Sequence, residues 1–303
     1  MKNSKYILGL FVLVLVYASV GTAAAPMVTF TFKDIKANAK AQETDTYAIN
    51  ASGAIAGDYV DSAGVQHGMI LKGKKLTSFD DKNCPSTPGA TAIQMYGINS
   101  AGVAVGWCTL ASTGYPVGLK YSKGKLAEFS VPKALVTEAN GINDKGNIVG
   151  AFIDSNGVQH GFLMVGKKVT QLDPPGVTSL AQGWGINNKG VITAFGANSS
   201  GTYVSFTTAN KGKTYKAFHA PGEGSSGTAI HNINNNGDIV ATVFDTAGNR
   251  HGVLFHKGKY YTYDDPNGVG STRGDGLNDT LHMVGRYGSG TYGGIGFEAT
   301  TKP

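Results

Sequence analysis

Gly141-Ile142-Asn143-Asp144-Lys145-Gly146-Asn147-Ile148-Val149-Gly150 is the stretch that decides the fold. Its ends are apolar and its middle is turn chemistry. Asn143-Asp144-Lys145-Gly146 suits a type I turn closed by a glycine in the left-handed region, a common hairpin connection. The spacing predicts one strand ending at Ile142 and a second over Ile148–Ile153. Asp154-Ser155-Asn156-Gly157 repeats the turn chemistry and leads to a third strand starting near His160 and running through Phe162, Leu163 and Met164. Val165-Gly166-Lys167 then turns into a fourth strand, Lys168–Leu172.

The same phrase recurs along the chain, as Ala48-Ile49-Asn50, Gly97-Ile98-Asn99, Gly185-Ile186-Asn187, Asn232-Ile233-Asn234 and Gly276-Leu277-Asn278. The asparagines step by 49, 44, 44, 47 and 44 residues. Four antiparallel strands in each of six such units is the period of a propeller blade. The last unit supplies only three strands, ending at Ile295-Gly296-Phe297-Glu298-Ala299. Val28-Thr29-Phe30-Thr31-Phe32 is a spare β-rich run ahead of the first unit. Together they make one blade, so an all-β six-bladed propeller of four-stranded antiparallel blades is expected, closed by N-terminal strand pairing with the C-terminal blade. Closure also removes two sheet edges. The residue after each strand-b apolar pair is small: Gly57, Gly106, Gly150, Ala194, Ala241 and Gly285. Close approach of the neighbouring blade is the expected reason.

The Ile-Asn-x-x-Gly turn, the Ile-Val-Gly strand and the tripeptides His67-Gly68-Met69, His160-Gly161-Phe162 and His251-Gly252-Val253 resemble the HAF family of extracellular repeat proteins. The resemblance spans nearly the whole chain after its first residues. Glycine stands where the family has alanine in its name-giving tripeptide, and three units lack the histidine. Where the family often has Asp-Leu-Gly, this chain has Leu172-Asp173-Pro174-Pro175-Gly176. The resemblance implies a secreted, propeller-like protein and no particular reaction.

The ends agree with export. Lys2 and Lys5 precede an apolar run over Ile7–Ala18, followed by small residues at Gly21-Thr22-Ala23-Ala24-Ala25. This reads as a signal peptide over residues 1–24, cut after Ala23 or Ala24. The run is short for a membrane span, which takes about 20 residues. One domain over 26–300 follows, secreted or periplasmic and expected as a monomer without a transmembrane span. The formal charge of +6 falls to +4 without Lys2 and Lys5, which points to no specific nucleic-acid partner. Cys84 and Cys108 approach the same end of the second blade. A disulfide is expected there, with two buried thiols as the alternative.

Where everything else repeats, two positions do not. Three residues before each repeat asparagine stand Tyr47, Tyr96, Asn140, Trp184, His231 and Asp275; two further back are Asp45, Gln94, Glu138, Gln182, Ala229 and Arg273. These lie on the innermost strand, so a ligand-binding channel mouth is expected, with Tyr47, Tyr96, Asn140, Trp184, His231, Asp275, Glu138 and Arg273 as its candidates. His67, His160 and His251 fall one to a blade, too far apart to share a metal, and are expected to hydrogen-bond neighbouring turns. Lysines crowd the c–d turns (Lys72, Lys123, Lys167, Lys257) and aspartates the opposite end (Asp61, Asp154, Asp245, Asp264). The lysine ring could dock on an anionic surface. The aspartates offer oxygens to Ca²⁺, but they read as turn residues, so no cofactor is expected. No Gly-x-Ser-x-Gly, His-Glu-x-x-His, phosphate-loop or Cys-x-x-Cys motif occurs. A binding or scaffold module for a glycan, cell-envelope or extracellular protein ligand is favoured. The alternative is a carbohydrate hydrolase or lyase using Glu138, Asp275 and His231.

Overall fold

The computed structural model describes residues 13–14, 28–85, 93–288 and 294–302. The export signal read over residues 1–24 lies outside these except for Leu13–Val14. Of the candidate site residues, none is outside them. No helix occurs among the described residues, and none therefore is long and apolar enough to cross a membrane.

Among the described residues twenty-four strands lie beyond residue 28, and Leu13–Val14 pairs antiparallel with the first of them at Phe30 and Thr31. β1 is Thr29–Asp34. Blade 1 follows as β2 (Glu43–Ile49), β3 (Ala54–Val60), β4 (Gln66–Lys72) and β5 (Lys75–Phe79). Blade 3, the unit read first, is β10 (Val136–Ile142), β11 (Ile148–Ile153), β12 (Gln159–Val165) and β13 (Lys168–Leu172). Blade 6 has β22 (Arg273–Leu277), β23 (His282–Tyr287) and β24 (Ile295–Lys302) from the C-terminal end. Its fourth strand is β1, antiparallel to β24 from Thr29↔Lys302 to Asp34↔Phe297. The ring closes as expected. Phe30 and Phe32 drive that closure, packing with Tyr263, Met283 and Phe297 in one buried cluster. Fully burying a side chain of this size contributes about 1.5–3 kcal/mol.

The small residue of strand b has a different cause from the one expected. A Cβ at Gly57, Gly106, Gly150 or Gly285 would overlap a carbonyl oxygen of the same blade's strand a, from Asp45, Gln94, Glu138 and Arg273 respectively. Strand a carries a bulge there, as between Ala139 and Gly141, which turns that carbonyl into the pleat. In blades 4 and 5, where alanine stands at this position, the irregularity is longer, from Gly183 to Ile186 and from Ile230 to Ile233. Close approach between blades occurs instead at the glycine of the Gly-Ile-Asn phrase. A Cβ on Gly97 would lie 3.0 Å from the Cα of Gly141, and one on Gly276 2.8 Å from the Cα of Ala48.

The repeat asparagine does two jobs. In blade 3, Asn143 Oδ1 accepts from the backbone N–H groups of Lys145 and Asn147, holding its own turn. Its Nδ2 donates to the carbonyl of Asn187 in the next blade. The same donation runs Asn50 to Asn99, Asn99 to Asn143, Asn187 to Asn234, Asn234 to Asn278 and Asn278 back to Asn50, at 2.9–3.2 Å. A closed ring of six hydrogen bonds thus stitches the inner strands, with every one of these asparagines buried. Cys84 and Cys108 are bonded, joining the connection into blade 2 to its strand b.

Candidate functional site

The innermost strands run from the aspartate end of the disc towards the asparagine ring. Their non-repeating side chains converge on the axis. Tyr47 and Tyr96 rings lie 4.2 Å apart, Tyr96 meets Trp184 edge-on at 5.5 Å, and Trp184 meets His231 at 5.0 Å. His231 Nδ1 lies 3.9 Å from Asp275 Oδ1, which accepts from Arg273 Nε at 2.7 Å. The Arg273 guanidinium stacks 5.7 Å over Trp184. Six of the eight candidates therefore form one cluster of side chains in mutual contact. Asn140 is buried and donates to the Gly183 carbonyl and to Gln182, a joint between blades 3 and 4. The Glu138 side chain makes no hydrogen bond or ion pair among the described residues, and burial raises its pKa.

A third variable position completes the cluster. It follows the small residue of strand b: Asp58, Trp107, Ala151, Phe195, Thr242 and Arg286. Each pairs across the sheet with the variable residue of strand a, giving Asp45↔Asp58, Gln94↔Trp107, Glu138↔Ala151, Gln182↔Phe195, Ala229↔Thr242 and Arg273↔Arg286. Sequence reading missed these residues. The signal was present, since they too differ in every unit amid constant neighbours.

Two of those pairs set like charges face to face, an Asp pair in blade 1 and an Arg pair in adjacent blade 6. They compensate across the blade joint, with Arg286 Nη1 3.3 Å from Asp45 Oδ2 and its guanidinium 4.7 Å over the Tyr47 ring. Burial raises the pKa of Asp45, against the pull of Arg286, and raises that of Asp58 well up, with Asp45 adding to it. Burial also works against the charge of Arg286, yet Tyr47, Asp275 and Asp45 hold its pKa above the usual value. His231 is held neutral by burial and then by Arg273 and Arg286.

Beside this packed centre, at the end where strands b finish and strands c begin, a pocket opens between blades 4 and 5. Phe195, Tyr203, Ala229, His231, Thr242, Phe244, Arg250 and Arg273 line it. Both ring nitrogens of His231 and the Thr242 hydroxyl are buried without a hydrogen-bond partner. Such groups ordinarily find one.

His67, His160 and His251 do brace turns. Each stands between an aspartate of the b–c turn and one after strand d: Asp61 and Asp80, Asp154 and Asp173, Asp245 and Asp264. The turn aspartates also accept backbone N–H groups, as Asp154 does from Asn156 and Val158. Their oxygens are thus engaged within the turns. Among the described residues no group of three or more His, Cys, Asp or Glu side chains could hold a metal ion.

No protein-family model matches the sequence. No characterised protein matches it by sequence either. Solved structures do match in shape. A gluconolactonase from Xanthomonas campestris, XC5397, aligns with a TM-score of 0.55 at 10% identity, over 95% of this chain and 97% of its own. The SapL1 lectin, solved with α-methyl fucoside, aligns at 0.51 and 9% identity, over 86% and 93%. AofleA from Arthrobotrys oligospora aligns at 0.50 and 10%, over 84% and 86%. At such identities the likeness establishes the fold, and the chain is a six-bladed β-propeller.

Proposed function

We propose that this chain is an exported, HAF-like propeller that binds glycans through the pocket between blades 4 and 5. One observation carries the reading: the non-repeating positions bring aromatic rings and unpartnered buried polar atoms to a single concave space. That combination suits a sugar, whose C–H faces stack on rings while its hydroxyls take up polar partners. The fold accommodates such ligands, since SapL1 holds a fucoside. The signal-like residues 1–24 support export to a secreted or periplasmic location, and the chain is read as a monomer.

A glycan array with the purified mature protein tests this, alongside Tyr203→Ala and Phe244→Ala at the pocket rim. Binding should fall about tenfold or more in each variant while the folded protein persists at the assay temperature. An array without hits, or hits indifferent to both changes, would reject the reading. A carbohydrate hydrolase or lyase is the second reading, resting on the buried His231–Asp275 pair. Turnover of the bound glycan, lost in Asp275→Asn, would favour it.

A further inference from the structure

The pocket has a local cause and an uncompensated charge. Facing residues of strands a and b are Asp/Asp, Gln/Trp, Glu/Ala, Gln/Phe and Arg/Arg in the other blades. In blade 5 they are Ala229 and Thr242, with Gly252 next across the sheet. No other blade puts so little side chain and no ionisable group there. The vacancy amounts to about 60 Å³ for water-sized occupants, several times the 10–15 Å³ that one water needs.

Charge then selects the occupant. Three arginines stand near the pocket. Arg286 is paired with Asp45, and Arg273 with Asp275. The Arg250 guanidinium lines the pocket and has no acidic partner among the described residues. Its own charge is disfavoured by burial and then by Arg273 and Arg286, with Asp275 opposing them more weakly. A guanidinium fork matches a carboxylate with two parallel hydrogen bonds. His231 and Thr242 add neutral groups that can donate and accept, suited to hydroxyls and not to a second negative charge. Tyr203 and Phe244, stacked at 5.6 Å, supply flat apolar surface at the rim.

We infer that the pocket takes a uronic-acid residue, its carboxylate on Arg250, its hydroxyls on His231 and Thr242, and its ring face against Tyr203 and Phe244. The inference rests on the glycan reading above and narrows it to acidic sugars.

The test titrates the mature protein with the methyl glycosides of galacturonate, glucuronate and mannuronate, each beside its neutral counterpart. At least one uronoside should bind about tenfold or more tighter than its counterpart, as expected for a charge-assisted pair, and weaken with added salt. Arg250→Gln should abolish that preference. Arg250→Lys, retaining charge without the fork, should keep part of it. Thr242→Val should weaken both members of each pair. Equal affinities in all three pairs, or a preference that survives Arg250→Gln, overturns the inference while the glycan reading stands. If no sugar of either kind binds here or on the array, both fall.

Discussion

Asn278 donates its side-chain amide to the backbone carbonyl of Asn50 at 3.2 Å, joining the last blade to the first. The bond is one of six equivalent ones. Asn143→Ala would remove the inter-blade donor to the Asn187 carbonyl, which keeps only the Gly190 N–H of its own turn, and would leave the N–H groups of Lys145 and Asn147 without their acceptor. A loss of about 3 kcal/mol is expected by urea denaturation, in line with the cost of stranding buried polar groups. The same change at Asn99 should cost about as much, because its bonds are the same.

Gly150 and Ala241 occupy one repeat position but should respond unequally. A methyl on Gly150 collides with the backbone carbonyl of Glu138, which cannot move without unpairing strands a and b. Gly150→Ala should cost about 3 kcal/mol, at the upper end for overpacking. Ala241→Gly, in a blade whose bulge already admits a Cβ, should cost only about 1 kcal/mol. Thermal melts of the two variants separate these outcomes.

Arg286 holds two buried aspartates against each other. Arg286→Met strands Asp45 beside Asp58 and should cost about 3–5 kcal/mol near neutral pH, as expected for breaking a buried pair. Asp45→Asn placed on top of it should restore much of the loss. A double-mutant cycle in denaturant gives the coupling; purely additive effects would refute it.

His251 gives a pH signature. Burial lowers its pKa, but hydrogen bonds and charge from Asp264 and Asp245 outweigh this and raise it above the usual value of 6.5. A histidine whose folded pKa is raised stabilises fully below its unfolded pKa and loses that contribution as pH rises through the folded one. His251→Gln should therefore lower the melting temperature more at pH 5.5 than at pH 8.5. An equal drop at both would mean that the bridge works without the charge.

The architecture was legible because it is periodic. The Ile-Asn-x-x-Gly turn located five of the six a–b hairpins, the sixth reading Leu277-Asn278-Asp279-Thr280-Leu281 with Leu281 at φ 58°, and the spare Val28–Phe32 run beside a three-stranded last unit located the closure. The turn role of the asparagines was legible as well. Their bond to the next blade was not, because its acceptor is a backbone carbonyl, which leaves no mark on residue type. For the same reason the small residue of strand b was assigned to the wrong neighbour: glycine reports crowding but not its source. Tyr47, Trp184, His231 and Asp275 were found as departures from the repeat. Arg286 and Thr242 escaped although they depart equally, since attention stayed on the innermost strand. Their importance comes from cross-strand register, which fixes each opposite a variable partner.

The pairing of β1 with β24 also sets the order in which the molecule can be made. Thr29–Asp34 is the first strand of the domain to be synthesised, yet its partner is the last. Until Ile295–Lys302 has emerged, blade 6 is incomplete and Phe30 and Phe32 have no pocket to enter. Inner blades can pair from neighbouring segments as they appear, so most of the sheet forms locally. The ring itself can lock only once Ile295–Lys302 has met Thr29–Asp34, which makes that late-made strand the gatekeeper of the whole disc.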